Sequence, residues 1–252
     1  MTKAYIVRYG EIALKGRNRI DFEEMLVRNI KLCLKAHKTA FSEVKRTFGR
    51  IIVYSNDDCG CLADVYGIVS ISPAVETEID IGRIKEEALK HYTKGTFRVS
   101  SQRMEKKLGT SLEMNKDIGA YVVDKTNAKV SLKNPDVDIG VEIVNKKAYI
   151  FNKKIEGAGG IPAGITGIVA VLVEDRNAIK AAKLMMKRGC DVVFVNKANI
   201  PAEELEKEMN GLRLKITKSV PKYAEAVVVS DTLSTFKQRD YNVPVLRPLI
   251  ME

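Results

Sequence analysis

Tryptophan is absent from this 252-residue sequence, histidine occurs twice, cysteine four times, and aromatic residues make up 6%. Each shortage removes a class of function. The four cysteines (Cys33, Cys59, Cys61 and Cys190) are too few and too scattered for a disulfide framework. Cys59-Gly-Cys61 supplies two thiols where a closed zinc site needs four ligands, and only His37 and His91 are left to add, so no metal site is expected. Cys33 reads as a small core residue of a helix, and His37 as a residue of that helix's last turn. Two histidines leave little room for histidine-based acid–base chemistry. No run approaches the roughly 18 apolar residues of a membrane span. Tyr5–Tyr9, the first strand-like segment, starts too early and is too short for a signal peptide. The expectation is a cytoplasmic chain with no membrane partner.

Charge, by contrast, is abundant and unevenly placed. The chain holds 42 basic and 32 acidic side chains, a formal net charge of +10, within an ordinary globular composition of 45% hydrophobic and 29% charged residues. Residues 1–50 carry 12 basic and 5 acidic groups, residues 51–80 carry 6 acidic and no basic group, and residues 81–110 carry 8 basic and 3 acidic. Two basic blocks around an acidic one are what a phosphate-tracking surface needs, although solvated helix faces have the same composition.

Periodicity organises the chain. Tyr5–Tyr9 reads as a strand, and Phe22, Met25, Leu26, Ile30, Cys33 and Leu34 mark one face of a helix. Segments 41–47 and 50–54 read as strands turning at Gly49, followed by a short helix at 62–66 and a strand at 71–75. A second unit follows, with helices at 84–92 and 114–125, an extended stretch at 96–103, and a hairpin (137–144, 147–154) turning at Asn145-Lys146. Residues 156–167 hold five of the 17 glycines and read as a linker. Beyond them, the apolar runs 168–173, 192–195 and 226–229, with a helix at 178–188, have the βαβ logic of a small parallel sheet.

The segment Arg8-Tyr-Gly-Glu-Ile-Ala-Leu-Lys-Gly-Arg-Asn-Arg19 closely resembles the opening motif of the tRNA 4-thiouridine synthetases, or tRNA sulfurtransferases. Gly67–Val75, Met114–Val123, Asn134-Pro-Asp-Val137, Gly159–Pro162, Leu184–Gly189 and Val243–Leu249 resemble later family segments in the same order. The resemblance implies an α+β N-terminal half, a ferredoxin-like domain over residues 1–72 and a THUMP domain over 73–156, then a Gly-rich linker at 157–167. A small α/β parallel-sheet domain derived from a PP-loop fold is expected at 168–252. It also implies tRNA as partner, bound through its single-stranded 3′ end. The family adenylates a uridine with ATP and replaces its oxygen with sulfur, and some members also supply sulfur for thiamine synthesis.

Where this sequence departs from the family is equally informative. Counting back without a gap from Met185–Gly189, the Ser-Gly-Gly-x-Asp-Ser loop of the family falls on Val173, Glu174, Asp175, Arg176, Asn177 and Ala178. Glycines in such a loop let backbone amides close around pyrophosphate; here two carboxylates replace them, with Asp175 read as a helix-start residue. No ATP site is therefore expected, nor any other cofactor. Only about 30 residues separate Val195 from Ala226, so the stretch that holds the family's sulfur-accepting cysteine is missing, and Cys190 does not match its position. The resemblance carries RNA contacts onto Lys15, Arg17 and Arg19, and onto Arg103 and Lys106, with Lys107 beside them; Gln102 replaces a family arginine. The expectation is a tRNA-binding protein without its own catalytic centre. A separate PP-loop or sulfur-donor protein, or a second copy forming a homodimer, would be its further partners. The alternatives are the tRNA-binding half of a split sulfurtransferase, or a structural module with vestigial RNA binding.

Overall fold

Turn chemistry and apolar alternation set the elements of the first half of the chain. The computed structural model describes residues 2–14, 18–103 and 110–251. Packing divides the chain into two units that interleave in sequence: one formed by residues 1–8, 40–60 and 70–156, the other by 9–39, 61–69 and 157–252.

The first unit is built on an eight-stranded sheet. Its strands are β1 (Thr2–Tyr9), β2 (Glu43–Thr47), β3 (Arg50–Tyr54), β4 (Ile68–Glu78), β5 (Phe97–Arg103), β6 (Val137–Val144), β7 (Lys147–Phe151) and β8 (Ile155–Glu156). They run in the order β2-β3-β1-β4-β7-β6-β5, with β8 paired to β4. Gly49, at φ +75°, turns β2 into β3. Asn145 and Lys146 both have positive φ, which fits the two-residue turn that right-twisted strands favour between β6 and β7. β4 is longer than the expected 71–75 and contains Pro73, which falls between Ile71, paired to β8, and Val75, paired to β7.

Two helices, α2 (Ile81–His91) and α3 (Ser111–Thr126), cover this sheet. Asp80 caps α2 by accepting from the Arg83 amide, and Thr110 and Glu113 form a reciprocal capping box on α3. Their apolar faces bury Ile84, Ala88, Ile118 and Val122 against Phe97, Val99, Ile139 and Val141. The short helix expected at 62–66 is instead a 3-10 turn at Gly60–Asp64.

The second unit contains α1 (Arg19–Ala36) and a five-stranded parallel sheet. Its order is β11 (Ile216–Thr217), β10 (Cys190–Asn196), β9 (Gly167–Val173), β12 (Ala226–Val228), β13 (Val245–Leu246). A parallel crossover from β9 to β10 runs through α4 (Asn177–Lys187), whose Ala178, Ala181 and Ala182 lie fully buried in the core with Val171 and Phe194. Small residues there let helix and sheet approach closely. A short helix, α5 (Ala202–Lys207), and the two-residue strands β11 and β13 complete the unit.

The segment read as a linker is bonded into this unit. Ala158 donates to the Ala63 carbonyl, Gly159 to Ile68, Ile161 to Lys187 and Gly164 to Gly189. Ile161 and Ala163 are buried, and the Asn29 side chain of α1 donates to the Ala163 carbonyl at 2.9 Å. Asn29 thus extends the buried face of α1 as a polar member with its bond satisfied. Among the described residues no helix is long and apolar enough to cross a membrane.

Candidate nucleic-acid and nucleotide-loop sites

Within the first unit, β6 carries a buried carboxylate at its centre. Glu142 is 4% exposed and accepts from Arg8 Nε and Arg50 Nε, each at 2.7 Å. Arg8 also donates to Ser72 Oγ at 3.0 Å and lies 4.9 Å from the centre of the Phe151 ring. Arg50 Nη2 donates to Gln102 Oε1 at 2.9 Å. Glutamine at 102 therefore has a structural reason: its amide oxygen accepts from Arg50, whereas an arginine there would place a second cation against it. Arg8, Gln102, Glu142 and Phe151 line a cavity of about 360 Å³ together with Ser100, Ser101, Asn152, Lys153 and Lys154.

Arg103, at the end of β5, donates through Nε to Ser111 Oγ at 3.3 Å. Arg19, in the second unit, donates to Glu23 at 2.7 Å and to the Tyr9 hydroxyl at 3.1 Å, and Tyr9 donates to the same Glu23 oxygen. Burial, reinforced by the Glu23 bond, pushes the Tyr9 hydroxyl up to about 12. Arg19 thus ties the first turn of α1 to Tyr9 within the second unit. Lys15, Arg17, Lys106 and Lys107 lie outside the described residues.

The nucleotide-loop positions follow β9. In an open parallel sheet, the crevice beyond the carboxyl ends of the strands where the order reverses is the usual ligand site. Here it lies between β9 and β12, and it is occupied by the chain itself. Val173 is buried at the end of β9. Glu174 receives both Arg239 amines, Nη1 on Oε1 at 3.0 Å and Nη2 on Oε2 at 2.8 Å. Lys197 stands 3.8 Å from Oε1. Asp175 accepts from the Ala178 amide at 3.2 Å and from the Ser230 hydroxyl at 3.0 Å, serving the start of α4 as its sequence position suggests. Asn177 and Ala178 open the helix, and Ala178 is fully buried.

Arg239 also reaches Asp231 at 2.9 Å, and Arg247 Nε lies 3.5 Å from the same carboxylate. The Arg239 bonds hold Glu174 below the usual carboxylate range. Burial works to raise Asp231, but its bond and charge partners outweigh it, and the net direction is again down. The two carboxylates raise Arg239 in turn. The charge of Glu174 is thus met by a cation 65 residues along the chain, which no local pattern marks.

Comparison with known proteins places these features. Residues 4–72 match the ThiI ferredoxin-like domain and residues 81–152 the THUMP domain. A probable tRNA sulfurtransferase of Thermococcus kodakarensis is 37% identical over 78% of this chain and 55% of its own length. That of Methanocaldococcus jannaschii is 39% identical over 76% of this chain and 55% of its own. The chain therefore spans about half the length of these relatives. Among solved structures, PH1313 from Pyrococcus horikoshii is 31% identical with a TM-score of 0.87, covering 99% of this chain and 95% of that one. A 4-thiouridine synthetase bound to RNA and ATP shares the fold, with a TM-score of 0.79 at 23% identity, covering 99% and 81%. With its ferredoxin-like and THUMP domains followed by a parallel α/β sheet, the chain belongs to the tRNA sulfurtransferase family.

Proposed function

We propose that this chain binds tRNA and serves tRNA thiolation as a presenting subunit that does not itself adenylate the uridine. The observation that carries the second half is the fork of Arg239 on Glu174, at the turn after β9 where the family's phosphate loop belongs. A polyphosphate there would have to displace Arg239 and then meet two carboxylates, without the glycine amides that would bind it. On this reading the turn is a degenerate PP-loop, ATP is not a cofactor, and the sulfur chemistry belongs to a separate PP-loop or sulfur-donor protein.

The tRNA half rests on the THUMP and ferredoxin-like matches, on the RNA held by the 4-thiouridine synthetase of the same fold, and on the basic blocks at 1–50 and 81–110. Lys15, Arg17, Arg19, Arg103, Lys106 and Lys107 are its proposed phosphate contacts. The single-stranded 3′ end of a tRNA is the proposed ligand, since the scarce aromatics favour shape over base stacking. The domain division 1–72, 73–156, 157–167 and 168–252 belongs to the same proposal, as do a cytoplasmic location and a link to thiamine synthesis.

Mass spectrometry of 4-thiouridine in tRNA from a strain lacking this chain tests the pathway. Loss of the modification, restored by the chain but not by the chain without its THUMP segment, is the expected result. Pyrophosphate release by the purified chain with tRNA would overturn the non-adenylating role.

A further inference from the structure

Cysteine and histidine spacing gives no hint of a metal centre, yet the fold assembles one set of soft ligands. Cys33 lies in the last turn of α1 and His37, four residues on, is the residue that ends the helix, which places the two on one face. Cys61 comes from the 3-10 turn at Gly60–Asp64. One ligand atom from each of Cys33, His37 and Cys61 can be chosen so that all three lie within 4.8 Å of one another. Cys33 Sγ is 3.8 Å from His37 Nδ1 and 3.5 Å from the Cys61 carbonyl oxygen. We infer that this cluster is a site for a thiophilic d10 cation, zinc(II) being the one it suits, held by two thiolates and one imidazole with one coordination position left for water.

Burial and local geometry favour such a site. Cys33 is fully buried, Cys61 half-buried and His37 exposed, so the cluster runs from the core to the surface. His37 Nδ1 lies 3.0 Å from the Cys33 carbonyl, a contact that fixes the orientation of the ring beside the two sulfurs. The wall beside Cys33 is tightly made: Gly211 has φ +80°, and a Cβ there would stand 2.6 Å from the Leu32 carbonyl oxygen and 2.9 Å from the Cys33 nitrogen. Asn210 fastens the same turn to the Cys61 segment by donating to the Asp64 carbonyl. On the outer side, His37 borders a surface cavity of about 780 Å³ whose lining carries Glu203 and Glu206 together with Lys207 and Arg213, so the outer end of the cluster is open to solvent.

The ligand set chooses the metal. Two sulfurs and an imidazole suit zinc and exclude the hard, oxygen-seeking magnesium and calcium. Three protein ligands with an open position is the arrangement of accessible zinc centres rather than closed structural ones. Binding replaces the protons of Cys33 and Cys61, so each zinc taken up releases two protons to solvent and neutral imidazole is required.

The test is titration of the reduced, chelator-stripped full chain with cobalt(II) as a spectroscopic probe, followed by zinc(II). One equivalent of cobalt is expected to give sulfur-to-cobalt charge-transfer absorption and intense visible bands of a four-coordinate site, both abolished by one equivalent of zinc. His37→Ala and Cys61→Ser should lose the bands while keeping the circular dichroism of the folded chain. Cys33→Ser removes a buried group, so the other two variants carry the test. Cys59→Ser and Cys190→Ser should keep the bands. Absence of charge-transfer absorption in the wild-type chain, or its survival in both His37→Ala and Cys61→Ser, overturns the proposal. So does recovery of a Cys33–Cys61 disulfide from a chain that takes up no metal once reduced.

Discussion

Arg239 straddles two carboxylates, with both terminal nitrogens on Glu174 and Nη2 also 2.9 Å from Asp231 Oδ1. Asp231 is 5% exposed and Arg239 11% at the side chain. Removing one partner of a buried pair leaves the other charge uncompensated, which costs more than the pair is worth against an apolar substitute. Arg239→Ala is expected to lower the unfolding free energy by about 3 kcal/mol at neutral pH. Arg239→Lys, which keeps the charge without the fork, should lose part of this. Urea denaturation of the three chains is the measurement.

The same cluster sets an acid dependence. Glu174 and Asp231 both titrate below their ordinary values of 4.5 and 3.8 in the folded chain. A depressed folded value contributes stability above the unfolded value, and that contribution is lost as pH falls through the folded one. Wild-type stability should therefore drop as pH falls from about 5 towards 3. The Arg239→Ala chain, already without the interaction, should lose less over that window. Parallel slopes for the two chains in pH-dependent melts would contradict the assignment.

Glu142 tests the first unit in the same way. It is the anion between Arg8 and Arg50, and without it two guanidinium groups face each other in a buried layer. Glu142→Ala should cost about 3 kcal/mol. Glu142→Gln, which still accepts one of the two bonds, should be milder. Thermal unfolding followed by the near-ultraviolet tyrosine signal, to which the buried Tyr149 of the same unit contributes, would rank them.

What could be read in advance divides along physical lines. The β6–β7 hairpin was legible because Asn145-Lys146 is local turn chemistry, and α4 and the parallel sheet because apolar runs at βαβ spacing have few other solutions. The family motifs carried the ferredoxin-like and THUMP domains. Arg239 was not legible, since its partner lies 65 positions away and an arginine in a polar stretch looks like surface. The same holds for Cys33 and Cys61, 28 residues apart, and for Arg50, whose partner Gln102 lies 52 residues along the chain. Weak elements also escaped: α5 spans six residues and β11 two, and both depend on packing rather than on periodicity.

Gly140 is expected to tolerate no side chain. A Cβ at this position of β6 would stand 2.2 Å from the Phe151 ring, which Arg8 covers from 4.9 Å. Gly140→Ala should therefore destabilise the chain by about 1–3 kcal/mol, as overpacking does. A variant with unchanged melting temperature would mean that Phe151 moves freely.

Phosphate contacts make a quantitative claim about salt. Each neutralised phosphate releases counterions, so the logarithm of tRNA affinity should fall linearly with the logarithm of salt concentration, by about 0.7 per contact on a single strand. If Arg103, Lys106 and Lys107 are such contacts, replacing all three by alanine should flatten that slope by about two units and weaken binding at low salt far more than at high salt. Lys218→Ala, at an exposed lysine of the second unit outside the motifs carried from the family, should leave the slope unchanged. Filter binding over a salt series separates this from a folding defect, because a partly unfolded chain loses binding amplitude without changing the slope of what remains. A triple variant with the wild-type slope would remove these residues from the RNA interface, whatever its affinity at a single salt concentration.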